Sequence, residues 1–309
     1  MHAETIWQAP ARRDFFGWVS AASRPWRRRP LGVFGASLII ILIVTALLAP
    51  WIAPYQGDAF TGRQLESPNA DHLLGTNNLG QDVLSRTIYG AQISVAVAVS
   101  TTTLGVGIGM FLGVLSAYTG GPVDLTIQRL MEVLASFPGL MLALVVIAAL
   151  GRPEESGSNL LLIVWQLRSL ELAIALGFTY GVMRVVRAAV LQQREQLYVE
   201  AAIVMGASNL RIMFRHILPN VFPVVIVAYS SLVGAVILIE AGLSFLGYGV
   251  SVGTPSWGID LSNRNREFFL DAPWLLLAPA AALSLAVIGF NFLGDALRDI
   301  LDPRMRGGA

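Results

Sequence analysis

The chain contains no cysteine. A disulfide framework and a thiolate metal site are therefore excluded, and cysteine cannot mark the redox compartment. Lysine is absent too: all 21 basic residues are arginine. Without lysine there is no Walker A phosphate cradle and no Schiff-base chemistry, so the chain cannot itself be a P-loop ATPase. Charge is scarce, at 13% of 309 residues, where soluble domains carry about a quarter. Histidine is rare, and His2, His72 and His216 all lie outside the expected spans. No relay of ionisable groups crosses the spans, as a proton-coupled carrier would need, and no repeat of paired broken helices is evident. A secondary transporter is therefore a remote alternative. No catalytic triad or metal-ligand cluster is visible, so no enzyme activity is expected.

What is present is apolar. Hydrophobic residues make up 55% of the chain and the mean hydropathy is +0.64. Several runs approach the roughly 20 residues that carry a helix across a bilayer. None alternates over about 10 residues as a barrel strand would. The expected fold class is an all-α polytopic membrane protein with six transmembrane helices. They are placed at residues 31–53, 93–118, 130–150, 172–190, 221–245 and 274–293. Pro138 should kink the third. A short outer-face helix should precede the fourth, with Arg168 and Glu171 paired one turn apart. Residues 1–30 end in "RPWRRRP" ahead of a run long enough to span. That pattern suits an uncleaved anchor better than a signal peptide.

Arginine sets the expected orientation, because basic residues gather in cytoplasmic loops. With both termini inside, inner segments hold about 15 arginines and outer ones about 6. The expected organisation follows. Residues 1–30 and 305–309 are cytoplasmic ends of a transmembrane domain over 31–304. Residues 54–89 and 246–273 are outer loops, and 191–219 is a cytoplasmic loop.

That inner loop holds "EAAIVMGASNLRIMFRHILPN", Glu200 to Asn220. A short helix over 197–205 is apolar or small on most sides, and Ala201 and Ala202 leave room for a close neighbour. Gly206 should break it by adopting positive φ. Ser208 is a good N-cap for a second helix. There Leu210, Met213, Phe214 and Ile217 should form one apolar face, with Arg211 and Arg215 on another. Pro219 should end that helix, since the residue before proline avoids the α region. The product is a basic, amphipathic knob. Its pattern alone suits an interfacial helix on anionic lipid as well as a dock for a soluble partner.

The loop resembles the EAA loop of bacterial ABC-importer permeases. Glu200, Ala201, Ala202, Gly206, Leu218 and Pro219 fall in register with that pattern. "RHILPN" resembles the subgroup for dipeptides, oligopeptides and nickel. So do "HLLGTNNLGQDVLSR", "EAGLSFLGYGV…PSWG" and "FNFLGDALRDILDPR". Asn77 and Gln81 stand where the subgroup has Asp and Arg. The stretch from Leu160 to Glu171 looks inserted relative to the family. The resemblance implies a type I importer permease (MetI-like) fold. It also implies a homologous permease subunit, two cytoplasmic ATPase subunits carrying ATP and Mg, and an extracytoplasmic solute-binding protein. No cofactor of this chain and no nucleic acid is implied. The expected solute is a dipeptide or oligopeptide, with a nickel chelate as alternative. By resemblance, Glu200, Ala201, Ala202, Gly206, Arg211, Arg215 and Pro219 belong to the element that couples ATP hydrolysis to transport.

Other features stay open between packing and function. Gly105, Gly109 and Gly113 form a small-residue ridge that suits helix packing or a partner permease. Glu240, a lone acid in the outer half of the fifth span, is a candidate for the gate or pathway, with Phe245 beside it. Glu132 at the inner part of the third span is another. Glu132 and Asp295 also suit plain solvation at the interface.

Overall fold

Helices account for nearly all regular structure in the computed structural model, which describes residues 29–150, 168–250, 253–262, 265 and 267–301. In chain order they are α1 (Pro30–Leu47), α2 (Ala49–Ile52), α3 (Val83–Thr119), α4 (Gly121–Ala135), α5 (Gly139–Leu150), α6 (Arg168–Arg194), α7 (Leu197–Val204) and α8 (Asn209–Arg211). A π-helical turn, Ile212–Ile217, leads into α9 (Leu218–Phe245), followed by α10 (Trp257–Asp260) and α11 (Trp274–Leu301). Among the described residues, β-pairing is limited to the isolated bridges Phe60–Gln81 and Thr76–Asp82. Among the described residues five helices are long and apolar enough to cross a membrane, and the bent pair α4–α5, counted as one span, makes six.

Three expectations change. The second span begins at Val83, ten residues before the expected start, and α3 runs for 37 residues. That is about 55 Å, well beyond a bilayer core of about 30 Å. Ser85 and Arg86 made this stretch look like loop, yet both are buried. Asp82 starts the helix by accepting the Ser85 N–H at 2.8 Å, an N-cap that replaces a missing helical partner.

The third span is broken rather than kinked, with α4 and α5 meeting at 94°. Pro138 lacks an N–H, and the residue before a proline avoids the α region. The fourth span is described from Arg168, four residues before its expected start at residue 172. Of the outer-face helix expected over residues 160–171, only 168–171 are described, and they already belong to α6; residues 151–167 and the Arg168 side chain lie outside the described residues. Glu171 accepts a hydrogen bond from Ser100 on α3.

The core lies where α3 meets α6, α9 and α5, around Val97, Ala98, Ile147, Ile174, Val236 and Ile237. The glycine ridge packs within this chain. A Cβ on Gly109 would sit 2.8 Å from Val182, and one on Gly113 2.7 Å from the Met183 carbonyl. Helix α6 therefore approaches α3 backbone to backbone. At the opposite edge α1 packs on α11, and Arg29 pairs with Asp299 where the two helices end.

Candidate functional site: an exposed knob and a closed cap

The knob starts directly below α6, since only residues 195 and 196 separate α6 from α7. At its turn the Gly206 N–H donates to the Ile203 carbonyl at 2.9 Å, and the Ala207 N–H to the Ala202 carbonyl at 3.0 Å. This pair of bonds is a Schellman turn, with glycine at its left-handed position. Gly206 has φ +77°, and a Cβ there would meet nothing within 4 Å. Its identity is set by backbone conformation alone. Ser208 caps the next helix, accepting the Arg211 N–H at 3.4 Å.

Pro219 does not end that helix. It lies in the first turn of α9, and one helix runs from Asn209 to Phe245. The π-helical turn makes this possible. The Leu218 N–H bonds to the Met213 carbonyl, five residues back, and the wider turn eases the clash a proline ring makes with the carbonyl four residues back.

The extra residue also rotates the side chains. Ile212 and Ile217 are buried against Val199, Ala202, Val190 and Val221. Leu210 and Phe214 are instead 65% and 61% exposed. The expected apolar face over Leu210, Met213, Phe214 and Ile217 is therefore split. Ala202 belongs to the inner core, so of the two alanines only Ala201 is exposed. Leu197, Ile203, Val204 and Met205 join Leu210 and Phe214 as exposed apolar side chains. Glu200, Arg211 and Arg215 are exposed too. Among the described residues none of the three forms an ion pair. Sequence reasoning passed over Ile203, Val204 and Met205. The signal was their position next to a glycine turn, where the last helical residues cannot all face inward.

The opposite end of the helices carries a cap built from the loop over 53–82 and from α10. Arg86, at the start of α3, donates from Nε and Nη2 to Asp260 Oδ1 at 2.9 and 2.6 Å. Its Nη1 donates to the Gly57 carbonyl at 3.1 Å and to Gln81 Oε1 at 3.0 Å. Asn77 donates to the same Gln81 oxygen at 2.8 Å. Two neutral amides thus bridge where the resembling subgroup has an Asp and an Arg. Burial pushes the Asp260 carboxyl up, and the Arg86 charge pulls against it. Asp82 Oδ1 lies 3.0 Å from His72 Nδ1. Trp257 is buried and donates from Nε1 to the Thr87 carbonyl at 2.9 Å.

Glu240 ties the fifth span to this cap. Ser244 donates to its Oε1 at 2.7 Å and Ser94 on α3 to its Oε2 at 3.4 Å. Ser244 in turn accepts the Val250 N–H at 3.2 Å. Glu240 is fully buried and presents no surface on this chain. Phe245, the last residue of α9, is partly exposed. Glu132 is far from both and pairs with Arg129 at 2.8 Å on the outside of α4. Among the described residues no group of three or more His, Asp or Glu is placed to hold a metal ion.

The chain resembles known proteins over nearly its whole length. A family described as the binding-protein-dependent transport system inner membrane component matches residues 105–307. A second, described as the N-terminal TM domain of oligopeptide transport permease C, matches residues 18–72. A putative peptide transport system permease protein of Brucella suis biovar 1 is 36% identical over 289 residues, covering 93% of this chain and 92% of that one. The glutathione transport system permease protein GsiD of Escherichia coli O6:K15:H31 is 38% identical over 286 residues, 92% of this chain and 90% of its own. Among solved structures, an inward-facing MetNI methionine ABC transporter matches with a TM-score of 0.53 at 18% identity, over 70% of this chain and 96% of that chain. At that identity the likeness concerns the fold.

Proposed function

This chain belongs to the family of inner membrane components of binding-protein-dependent transport systems, and from that premise we infer how it is coupled, oriented and supplied with solute. It is a multi-pass permease subunit of an ABC importer, a transport subunit rather than an enzyme. ATP is hydrolysed by partner ATPases, and a binding protein delivers the solute.

The knob is the ATPase dock. The observation that carries this is the cluster Leu197, Ile203, Val204, Met205, Leu210 and Phe214, exposed at one end of the helices. A contiguous exposed apolar surface rimmed by charge marks an interaction site. The knob is linked by two residues to α6 and by unbroken helix to α9. A push on it therefore reaches two spans. One ATPase subunit seats here, and a second seats on a homologous permease subunit that completes the pathway. Both termini and the knob are cytoplasmic, in keeping with the arginine distribution. The solute is a peptide: the Brucella relative is named for peptide transport and the Escherichia relative for transport of glutathione, itself a tripeptide. A nickel chelate has no counterpart among those names.

The test uses the complex purified with its co-eluting subunits. Reconstituted vesicles should take up dipeptides, longer peptides or glutathione in an ATP-dependent way. Ala70→Cys should react with an impermeant thiol reagent from outside intact cells and Leu210→Cys should not. Outside labelling at residue 210 would invert the topology. Undiminished ATPase co-purification after Val204→Asp would return the knob to the lipid surface.

A further inference from the structure

We infer that the elbow between α4 and α5, residues 136–138, faces the water-filled translocation path and contacts the solute there; the identity of that solute as a peptide rests on the reading above. The argument begins with length. Helix α4 has 15 residues, about 22 Å at 1.5 Å per residue, and meets α5 at 94°. It cannot by itself cross a core of about 30 Å. Gly139 packs on Gly177, well inside the 27-residue α6. The elbow therefore lies beside the interior of a spanning helix, at membrane depth.

Its backbone is open at that depth. Among the described residues the carbonyls of Ser136 and Phe137 and the amide of Gly139 take part in no backbone hydrogen bond. Residues 136–141 are all exposed, with Phe137 at 50%. Hydrocarbon cannot satisfy such groups. Irregular backbone at membrane depth is tolerated only where protein buries it or water reaches it.

A second observation excludes lipid on this side. Arg129 and Glu132 form an ion pair on the exposed side of α4, with side chains 73% and 44% exposed. Charges inside membrane segments face a bundle interior or an aqueous cavity, not lipid. Helix α1 shows the contrast: its outward residues, among them Ile40, Ile41, Ile43, Val44 and Leu47, carry no charge, and the exposed Ser37 hydroxyl is satisfied within the helix by the Val33 carbonyl. The departure of α4 from the body is also fixed. Asp124, near its start, accepts from Arg187 Nε and Nη2 at 2.8 and 2.7 Å. An elbow of free carbonyls, a free amide and the Phe137 ring offers what a peptide needs: acceptors and donors for its amides and an apolar plate for its side chains.

The absence of native cysteine makes the test direct. Phe137→Cys, Leu140→Cys and Met141→Cys are compared with Ile40→Cys in the reconstituted complex, using a charged, water-soluble methanethiosulfonate reagent. The elbow cysteines should react at least about tenfold faster than residue 40, because only the former meet water. Their rates should change when ATP hydrolysis is trapped and fall in the presence of transported peptide. Modification should stop uptake. Rates equal to that of residue 40 in every nucleotide state would overturn the proposal, placing lipid or the second permease over the elbow. Fast labelling that transported peptide never slows would overturn the solute contact. Fast labelling in a complex that takes up no peptide would leave the elbow in the water path and overturn the peptide reading instead. If Phe137→Cys fails to assemble, the other two positions carry the comparison.

Discussion

The cap and the knob are built on opposite physical plans. In the cap, charged groups are buried and paired: Arg86 spends its donors on Asp260, Gln81 and the Gly57 carbonyl. In the knob, apolar groups are exposed and unsatisfied, and the polar ones around them have no ion-pair partner among the described residues. The cap is complete within one chain. The knob leaves its apolar side chains open on this chain. A buried polar network locks one arrangement, because each partner removed strands the other in a low dielectric. An exposed apolar surface stores its burial free energy for association. Membrane importers need both, a fixed end and a responsive end, and here they sit on the same helices. Helix α9 carries Glu240 toward the cap and continues unbroken from the knob.

The contrast should break most sharply at Arg86→Ala. Removing one partner of a buried ion pair leaves an uncompensated charge, at about 3–5 kcal/mol. The expected result is loss of folded, monodisperse protein in detergent and a clear fall in Tm. An unchanged Tm would mean that the cap does not depend on this pair. Val204→Asp should do the reverse. The residue is 87% exposed, so Tm should hold, while ATPase co-purification should weaken by about 2 kcal/mol, the size of an interface hot spot.

Gly206→Val should come next. Valine meets no neighbour but strongly disfavours φ +77°, a strain of about 1–3 kcal/mol. Insertion should survive while ATPase docking and uptake fall. Gly206→Asn, which tolerates the left-handed region, should be milder. Wild-type uptake with valine would detach the knob from coupling. Glu240→Ala unties Ser94 and Ser244, at about 1–3 kcal/mol. The complex should assemble with reduced uptake, so uptake measured at equal protein level decides whether the tether matters. Glu200→Ala should be smallest, within about 0.5 kcal/mol, because the residue is exposed and its loss distorts no backbone. A large loss of docking there would point to a specific ionic contact with the ATPase.

Much of this was legible from residue order. Apolar length located the spans, and Pro138 marked the place where the third one fails. Gly206 announced its own φ, because helix termination at glycine needs only local hydrogen bonds. Other features were not local. The first ten residues of α3 read as loop because Arg86 looks solvated until Asp260, 174 positions away, pairs with it. Leu210 and Phe214 were grouped on one apolar face with Met213 and Ile217 because a helix was counted at 3.6 residues per turn. One π-helical turn before Pro219 shifted that register.

The sequence by itself determined that the chain is helical, membrane-spanning, unable to hydrolyse ATP alone, and equipped with a basic knob between two spans. Those properties follow from composition, periodicity and backbone chemistry, which act over a few residues. Only the tertiary structure decided which side of the knob is free, that Glu240 is buried as a tether, and that the α4–α5 break leaves its backbone exposed. Each of these depends on which groups distant in sequence come to share a low-dielectric space, and a hydropathy pattern cannot state that before the helices have packed.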